Sequence, residues 1–221
     1  MHPLTSAVVH RLTYLLAAVG MPVAFSLRVA GGAHVPRTGP ALLIANHQSF
    51  LDPVLLGLCS SRPLRYLARR TLFKHPLFAG LLRALRAVPI DQEGVGKEGL
   101  RTILDELQAG EAVVVFPEGE RTHDGRMAPL KPGVHLLIRR TQAPIVPVGI
   151  AGAFEALPRT ARYPTLAPVF LPARRGTIAV AVGRPLKAAH FAALPRDQAL
   201  GELFVEMQKL QARAEEIRRK P

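Results

Sequence analysis

ALLIANHQSFLD, residues 41–52, is the part of the chain that says most about its fold. Its first five residues are all apolar and lie between Pro40 and the polar Asn46, which is typical of a short buried strand. Asp52 and Pro53 then predict a helix start, with the aspartate as the N-cap and the proline in the first helical position. The stretch therefore predicts a strand, a polar turn and a helix.

His47 and Asp52 stand at the two ends of the polar turn, with four residues between them. An imidazole held by a carboxylate can take a proton from a hydroxyl near neutral pH. The chain has no glycine–serine–glycine motif of the nucleophile-elbow type, so we expect this base to activate a hydroxyl of the substrate rather than a serine of the protein. On one ideal helix the two side chains would lie about 140° apart, so a turn or a helix start must bring them together.

A histidine–aspartate spacing alone is a weak sign of an active site, but a second polar motif lies further along the chain. The valine-rich stretch Ala112–Phe116 predicts another buried strand, and the polar segment Glu118–Arg121 follows soon after it. In open α/β sheets, binding and catalytic groups collect in the crevice at the carboxyl ends of the strands. We therefore expect both motifs to face the same crevice.

Predicted strands alternate with predicted helices along the chain. The strands are expected at residues 41–45, 64–68, 88–90, 112–116, 145–150 and 177–182, and the helices at residues 54–59, 71–86, 94–110, 132–140 and 195–220. Such alternation favours an α/β domain with a largely parallel central sheet flanked by helices. The interval 155–175 has no clear period and is expected to be an excursion at the surface.

Size and cysteine content limit the class of protein. A chain of 221 residues with 48% hydrophobic residues can bury one sizeable core, which predicts a single main domain. Cys59 is the one cysteine, so the chain can form no internal disulfide and has no cysteine cluster for a metal. This cysteine usage suits a reducing compartment.

The chain is strongly basic, with 29 Lys and Arg residues against 16 Asp and Glu residues and a formal net charge of +13. Such a charge attracts a polyanion, either nucleic acid or an anionic membrane surface. Nucleic-acid-binding proteins usually add aromatic platforms or a recognisable motif, whereas here aromatic residues make up 5% of the chain and tryptophan is absent. We therefore expect an anionic membrane surface as a partner, and no nucleic acid.

Residues 1–28 are predicted to be a membrane-interacting helical segment. The uncharged stretch between Arg11 and Arg28 would form a helix of about 24 Å, short of the roughly 30 Å hydrocarbon core of a bilayer. Gly20-Met21-Pro22 is expected to break it into two short helices that lie in one leaflet, because proline lacks a helical donor. A signal peptide is a competing interpretation, although no convincing cleavage site precedes Val29. A helix buried in the core is another.

Three motifs in this order resemble the ordered motifs of the glycerolipid acyltransferase family. They are NHxSxxD at residues 46–52, FPEGxR at residues 116–121 and IVPV at residues 145–148. The resemblance is closest to bacterial 1-acylglycerol-3-phosphate acyltransferases, so we expect residues 29–221 to form the acyltransferase domain. It implies transfer of an acyl chain from acyl-CoA or acyl carrier protein to a glycerolipid hydroxyl, without a metal or a bound cofactor. It also implies a peripheral or monotopic protein at the cytoplasmic face of the cell membrane.

The resemblance implies roles for individual residues. His47 would be the base that deprotonates the acceptor hydroxyl, and Asp52 would orient its ring and stabilise the imidazolium. Arg121 would bind the acceptor phosphate, for which a guanidinium fork is well suited. Glu118 and Gly119 are expected to shape the turn that brings backbone and side chains close to the acceptor.

The other substrate-binding candidates are Arg69, Ser49 and Gln92. Arg69 lies in a basic pair that the family also tends to have, and Ser49 is equally a turn residue or a site residue. Gln92 stands where the family typically has an arginine that helps to bind phosphate, and Glu120 stands where the family commonly has threonine. These two differences bear on the preference for lysophosphatidate more than on the acyl-transfer chemistry.

The leading hypothesis is acylation of 1-acylglycerol-3-phosphate (lysophosphatidate) to phosphatidate in phospholipid biosynthesis. Another lysophospholipid or lyso-lipid, such as lyso-ornithine lipid, is an alternative acceptor that Gln92 and Glu120 keep open. A hydrolase that uses Glu118 and Glu120 as paired carboxylates is disfavoured, because alternate residues of an extended segment point opposite ways. The remaining alternative is a non-catalytic basic module that binds membranes or nucleic acid.

Overall fold

A computed structural model describes residues 3–74, 79–80, 82–83, 85–90, 96–169 and 176–219, with the side chains of the first helix described from Tyr14 onward. The strands, in chain order, are β1 (Arg28–Ala30), β2 (Ala41–Ala45), β3 (Arg65–Arg69), β4 (Ala87–Ile90), β5 (Ala112–Val115), β6 (Ile145–Ala151) and β7 (Ala179–Val182). Their order across the sheet is β1-β7-β6-β2-β5-β3-β4, and all neighbours are parallel except the antiparallel pair β6–β7. The predicted α/β domain with a largely parallel sheet is confirmed.

The α-helices are α1 (Pro3–Phe25), α2 (Asp52–Leu58), α3 (Lys97–Gln108), α4 (Gly133–Arg139), α5 (Ala153–Ala156), α6 (Ala188–Ala193) and α7 (Arg196–Arg219), and short 3-10 helices span Gly32–His34 and Arg70–Lys74. The predicted helices that correspond to α2, α3, α4 and α7 are confirmed. The helix predicted at residues 71–86 lies partly outside the described residues; residues 70–74 form a 3-10 helix, and residues 79–80 and 82–83 are α-helical as predicted. β1, α5 and α6 were not predicted, because segments of 3, 4 and 6 residues carry too little periodicity.

The middle of the sheet is buried on both faces, which explains why its strands are apolar throughout rather than alternating. Successive side chains of a strand point to opposite faces. Leu43 and Val114 accordingly pack in the core shared with α1 and α2, while Leu42 and Val113 pack in the core shared with α3, α4 and α7. Burying such a side chain contributes roughly 1.5–3 kcal/mol relative to leaving it exposed. The central strands are therefore a firm support for the loops at their ends.

α1 is one continuous helix, so the predicted break at Gly20-Met21-Pro22 is wrong. Pro22 removes only the hydrogen bond to the carbonyl of residue 18, close to the end of the helix. Met21 and Phe25 are 8% and 5% exposed and pack in the core with α2, which offsets that loss. The C-terminal end of α1 thus belongs to the same core as the sheet.

Other positions of α1 carry exposed apolar side chains, namely Tyr14, Leu15, Leu16, Val19 and Val23. Apolar patches of this kind are typical of surfaces that contact a membrane or another protein. Among the residues described, no helix is both long and apolar enough to cross a bilayer. α1 therefore combines a buried end with an exposed apolar face.

Three neighbouring parallel strands end at the same edge of the sheet. β2 pairs with β5 from Ala41 and Ala112 onward, and β3 pairs with the other side of β5. The segment after β2 contains the histidine–aspartate turn, the segment after β5 contains the second motif, and β3 ends at Arg69. The fold therefore brings the predicted site residues of these three segments to one crevice.

Candidate active site

His47 and Asp52 form a hydrogen-bonded pair at this edge of the sheet. Nδ1 of the ring lies 2.7 Å from Oδ2 of the carboxylate. Because a carboxylate only accepts hydrogen bonds, Nδ1 carries the proton, and the opposite nitrogen, Nε2, is left as an acceptor. The turn at residues 48–51 brings the two side chains together, and α2 begins at the aspartate itself. The ring is thereby held in the tautomer that a base requires.

The carboxylate of Asp52 faces back toward the turn. The residue is fully buried, and Oδ2 also accepts hydrogen bonds from the backbone N–H groups of Gln48 (2.6 Å) and Ser49 (2.8 Å). An N-cap side chain would instead bond N–H groups of the first helical turn, so the predicted N-cap role is wrong and Leu51 occupies that position. Oδ1 has no hydrogen-bond partner among the described residues. The carboxylate therefore serves the turn and the imidazole rather than the helix.

The second motif braces His47. The imidazole stacks on the ring of Phe116, with the ring centroids 3.9 Å apart and an angle of 14° between the planes. The backbone N–H of His47 donates to Oε1 of Glu118 (2.7 Å), and its carbonyl accepts from the N–H of Thr122 (2.9 Å). Three contacts from one segment therefore fix both the ring and the backbone of the base, and the two predicted motifs do meet.

Glu118 is buried and joins two loops. It is 2% exposed, and its second carboxylate oxygen accepts from the backbone N–H of Ala128 (2.7 Å). Burial raises the pKa of this carboxyl, against the effect of its two backbone hydrogen bonds. The structure places Glu118 in support of the turn, outside the lining of the cavity described below. Glu120 has a side chain that is 51% exposed, so the two carboxylates are not paired as the hydrolase alternative would need.

Three polar side chains of the turn bond to the backbone of β6 and of the segment after it. Asn46 pairs with Ile150 in both directions, since Nδ2 donates to the carbonyl (3.0 Å) and Oδ1 accepts from the N–H (2.7 Å). Oε1 of Gln48 accepts from the first N–H of α5 (3.2 Å), and Oγ of Ser49 donates to the carbonyl of Leu157 (2.9 Å). Ser49 is fully buried, so its hydroxyl anchors the turn within the protein.

A cavity of about 460 Å³ opens beside the base. Its lining outside the apolar part is formed by His47, Ser49, Arg69, Thr71, Gly119, Glu120, Arg121 and Arg159. Its apolar lining includes Tyr66, Leu67, Leu72, Leu82, Leu85, Ala87, Ile90, Ile103 and Val114. A largely apolar wall with a few convergent polar groups is the usual form of a small-molecule site. The cavity therefore combines a base, several cations and room for a hydrocarbon chain.

The predicted residues Ser49, Arg69, Gly119 and Arg121 line this cavity together with His47. Cζ of Arg121 lies 3.4 Å from the ring centroid of Phe50, over its face. Gly119 has a φ of 82°, a left-handed conformation that glycine adopts without strain. A side chain there would also contact Lys131. The glycine thus allows the sharp turn that presents the following arginine to the cavity.

The two positions that differ from the family pattern have separate outcomes. Gln92 lies outside the described residues, so its role stays a prediction. Glu120 accepts a hydrogen bond from Nη1 of Arg159 (3.1 Å) and lies 3.4 Å from Nε2 of His123. The hydrogen bond from Arg159 is the main cause that lowers the pKa of Glu120, so this carboxyl is ionised at neutral pH. Sequence reasoning missed Arg159, because no local pattern links two residues that are 39 positions apart.

Cys59 is not suited to nucleophilic chemistry. Its thiol is buried and donates to the carbonyl of Leu55 (3.0 Å), and burial raises the pKa of Cys59 to about 12. The thiolate is the reactive form of cysteine, so this side chain is inert at neutral pH. In the part of the chain that is described, no group of three or more His, Cys, Asp or Glu side chains could hold a metal ion.

Comparison with known proteins gives a family match and several relatives. The family model described as Acyltransferase matches residues 26–151, more than half of the chain. The chain is 27% identical over 195 residues to the 1-acyl-sn-glycerol-3-phosphate acyltransferase of Bacillus subtilis, a match that covers 86% of this chain and 90% of that protein. It is 35% identical over 130 residues to the mouse 1-acyl-sn-glycerol-3-phosphate acyltransferase alpha, covering 55% of this chain and 44% of the mouse protein.

A solved structure shares the fold. The crystal structure of the 1-acyl-sn-glycerophosphate (LPA) acyltransferase PlsC from Thermotoga maritima superimposes with a TM-score of 0.71 and 22% sequence identity. The match covers 94% of this chain and 80% of that one. The arrangement of sheet and helices described above is therefore one that a solved structure also has.

Proposed function

The chain belongs to the acyltransferase family, and on that premise we propose that it transfers a fatty acyl chain from a thioester to the free hydroxyl of 1-acylglycerol-3-phosphate, forming phosphatidate. The family match at residues 26–151 contains both polar motifs. The observation that carries the proposal is the His47–Asp52 pair beside a largely apolar cavity that Arg69 and Arg121 also line. Relatives named 1-acyl-sn-glycerol-3-phosphate acyltransferases support the choice of acceptor.

The proposed reaction uses His47 as a general base. Nε2 accepts the proton of the acceptor hydroxyl, and the resulting alkoxide attacks the carbonyl carbon of the thioester. The C–S bond then breaks, and the thiolate takes the proton from the imidazolium. Asp52, 2.7 Å from Nδ1, stabilises the imidazolium while the proton is held there. Transfer is direct, in keeping with the inert state of Cys59.

The acyl donor is proposed to be acyl-CoA or acyl carrier protein, acting as a second substrate rather than as a bound cofactor. The apolar lining between β3, β4 and β5 suits a hydrocarbon chain, because transfer of each CH₂ group from water to an apolar site contributes roughly 0.8 kcal/mol. Arg69 and Arg121 are proposed to bind the phosphate of the acceptor, since a guanidinium group presents two parallel donors to it.

A panel of acceptors tests this function. Thiol release from palmitoyl-CoA is measured with lysophosphatidate, glycerol 3-phosphate, lyso-ornithine lipid or no acceptor. We expect release that depends on lysophosphatidate and yields phosphatidate. Release with lyso-ornithine lipid alone would keep the chemistry and change the substrate. Silence with all acceptors, repeated with palmitoyl–acyl carrier protein as donor, would contradict the proposal and favour the non-catalytic binding module.

We also propose that the protein binds peripherally to an anionic membrane at its cytoplasmic face. The exposed apolar face of α1 adjoins the segment 163–169, because the N–H groups of Ala167 and Val169 donate to the carbonyls of Ala24 (2.8 Å) and Val23 (3.2 Å). That segment adds Tyr163, Leu166 and Val169 to the exposed apolar side chains. The net charge of +13 attracts anionic lipid headgroups to the same molecule.

Flotation with anionic liposomes tests the membrane proposal. The triple variant Leu15→Ser, Leu16→Ser, Val19→Ser is expected to bind at least about tenfold more weakly, because each buried CH₂ contributes roughly 0.8 kcal/mol. Substitution is cleaner than truncation, since the end of α1 is part of the core. Val205→Ser, at a 46% exposed position on α7, is the matched control. Full flotation of the triple variant would assign binding to the basic surface instead.

A further inference from the structure

Arg159 stands at the same cavity as the base, on a segment that the catalytic turn holds in place. It lines the cavity with His47 and Arg121. Two residues before it, the carbonyl of Leu157 accepts the hydroxyl of Ser49, and the start of α5 is bonded to Gln48 in the same turn. The backbone that carries this arginine is therefore fixed relative to the base.

The guanidinium of Arg159 is held by one of its nitrogens. Nη1 lies 3.1 Å from Oε2 of Glu120 and 3.0 Å from Nε2 of His123. Within the described residues these contacts use Nη1, and a guanidinium has further donors on Nε and Nη2. The side chain is 40% exposed, so an anion can reach those donors.

The Glu120–Arg159 pair bears on the two differences from the family pattern. The chain has Gln92 where the resemblance leads one to expect a phosphate-binding arginine, and it has an added carboxylate at Glu120. A lone carboxylate would repel a phosphate beside Arg121. Paired with Arg159, it instead keeps a third guanidinium, beside those of Arg69 and Arg121, at the lining of the cavity.

We propose that Arg159, held by Glu120, binds the anionic phosphate of the acceptor head group and so helps to determine which lyso-lipid is accepted. The inference rests on the proposed function, because it assigns a residue to the acceptor of that reaction. Arg159 and Arg121 approach the cavity from different segments, after β6 and after β5. Together with Arg69 they favour a phosphate monoester, which carries up to two negative charges, over an uncharged or singly charged head group.

The test is the acceptor KM of Arg159→Gln, measured with lysophosphatidate in mixed micelles of fixed surface composition. We expect KM to rise about tenfold, the equivalent of about 1.4 kcal/mol, with kcat within about twofold of wild type. Arg159→Lys keeps the charge without the fork and is expected to raise KM about threefold. Glu120→Gln is expected to raise KM in the same direction, because Arg159 loses its anchor.

Arg162→Gln is the matched control, because it removes the same charge three residues further along the chain. The side chain of Arg162 lies near the ring of Tyr163 and does not line the cavity. Its KM should equal that of the wild type. An unchanged KM in Arg159→Gln, or an equal rise in both arginine variants, overturns the inference, and a fall in KM in Glu120→Gln overturns the holding role of that carboxylate. Wild-type protein without activity toward lysophosphatidate removes the proposed function itself, so the two failures are distinguishable.

Discussion

His47→Ala is expected to lower the rate of acyl transfer about 10²–10⁴-fold, the usual contribution of a general base. The variant loses Nε2, the acceptor for the hydroxyl proton. The backbone hydrogen bonds that hold the turn, including those to Asp52 and Glu118, do not involve the imidazole and are kept. The measurement is thiol release from palmitoyl-CoA at saturating lysophosphatidate.

His190→Ala is the control for this experiment. His190 is an exposed histidine on α6 that pairs with Glu202 at 2.9 Å, away from the cavity. This variant should keep the wild-type rate, and both variants should unfold at a denaturant concentration close to that of the wild type. Turnover by His47→Ala within about tenfold of wild type would show that another group removes the proton.

Asp52→Asn is expected to lower the same rate about 10–100-fold, because a hydrogen bond to a charged group contributes roughly 1.5–3 kcal/mol. Asparagine has nearly the shape of aspartate and can place its carbonyl oxygen where Oδ2 lies, keeping the three hydrogen bonds found there. It lacks the negative charge beside the imidazolium that forms when His47 takes the proton. We therefore expect kcat to fall with little change in the acceptor KM.

Two further variants separate charge from structure. Asp52→Ala removes the acceptor as well as the charge, so it should also destabilise the protein by about 1–3 kcal/mol, because two backbone N–H groups lose their partner. Asp105→Asn, at an exposed position on α3, removes the same charge and should change neither property. If Asp52→Asn kept the wild-type kcat, the carboxylate would be a structural group only.

The features that could be predicted from the sequence are those specified by residues close together in the chain. The apolar runs of β2, β5 and β6 mark strands buried on both faces. The His47–Asp52 pair lies within one turn, so its spacing already required the geometry that is found. The second motif follows the neighbouring strand, and parallel strands bring such segments to one edge.

The features that could not be predicted depend on residues far apart in the chain. Asn46 pairs with Ile150 across 104 positions, and Glu120 pairs with Arg159 across 39. β1 is three residues long and is specified by its partner β7 rather than by a pattern of its own. The helix break predicted at Pro22 is absent, because the local helix-breaking preference of proline is outweighed by the packing of the residues around it.

The catalytic turn is anchored without using the side chains of β6 or of the segment that follows it. Asn46, Gln48 and Ser49 bond to main-chain groups of residues 150–157, and a main chain offers those groups whatever side chain it bears. If Arg159 binds the head group as proposed, the proton-transferring base and this head-group contact lie on different segments of the chain. Substitutions at Arg159 can then change the lipid product while the base stays intact, which makes this position the natural place to begin a redesign of acceptor preference.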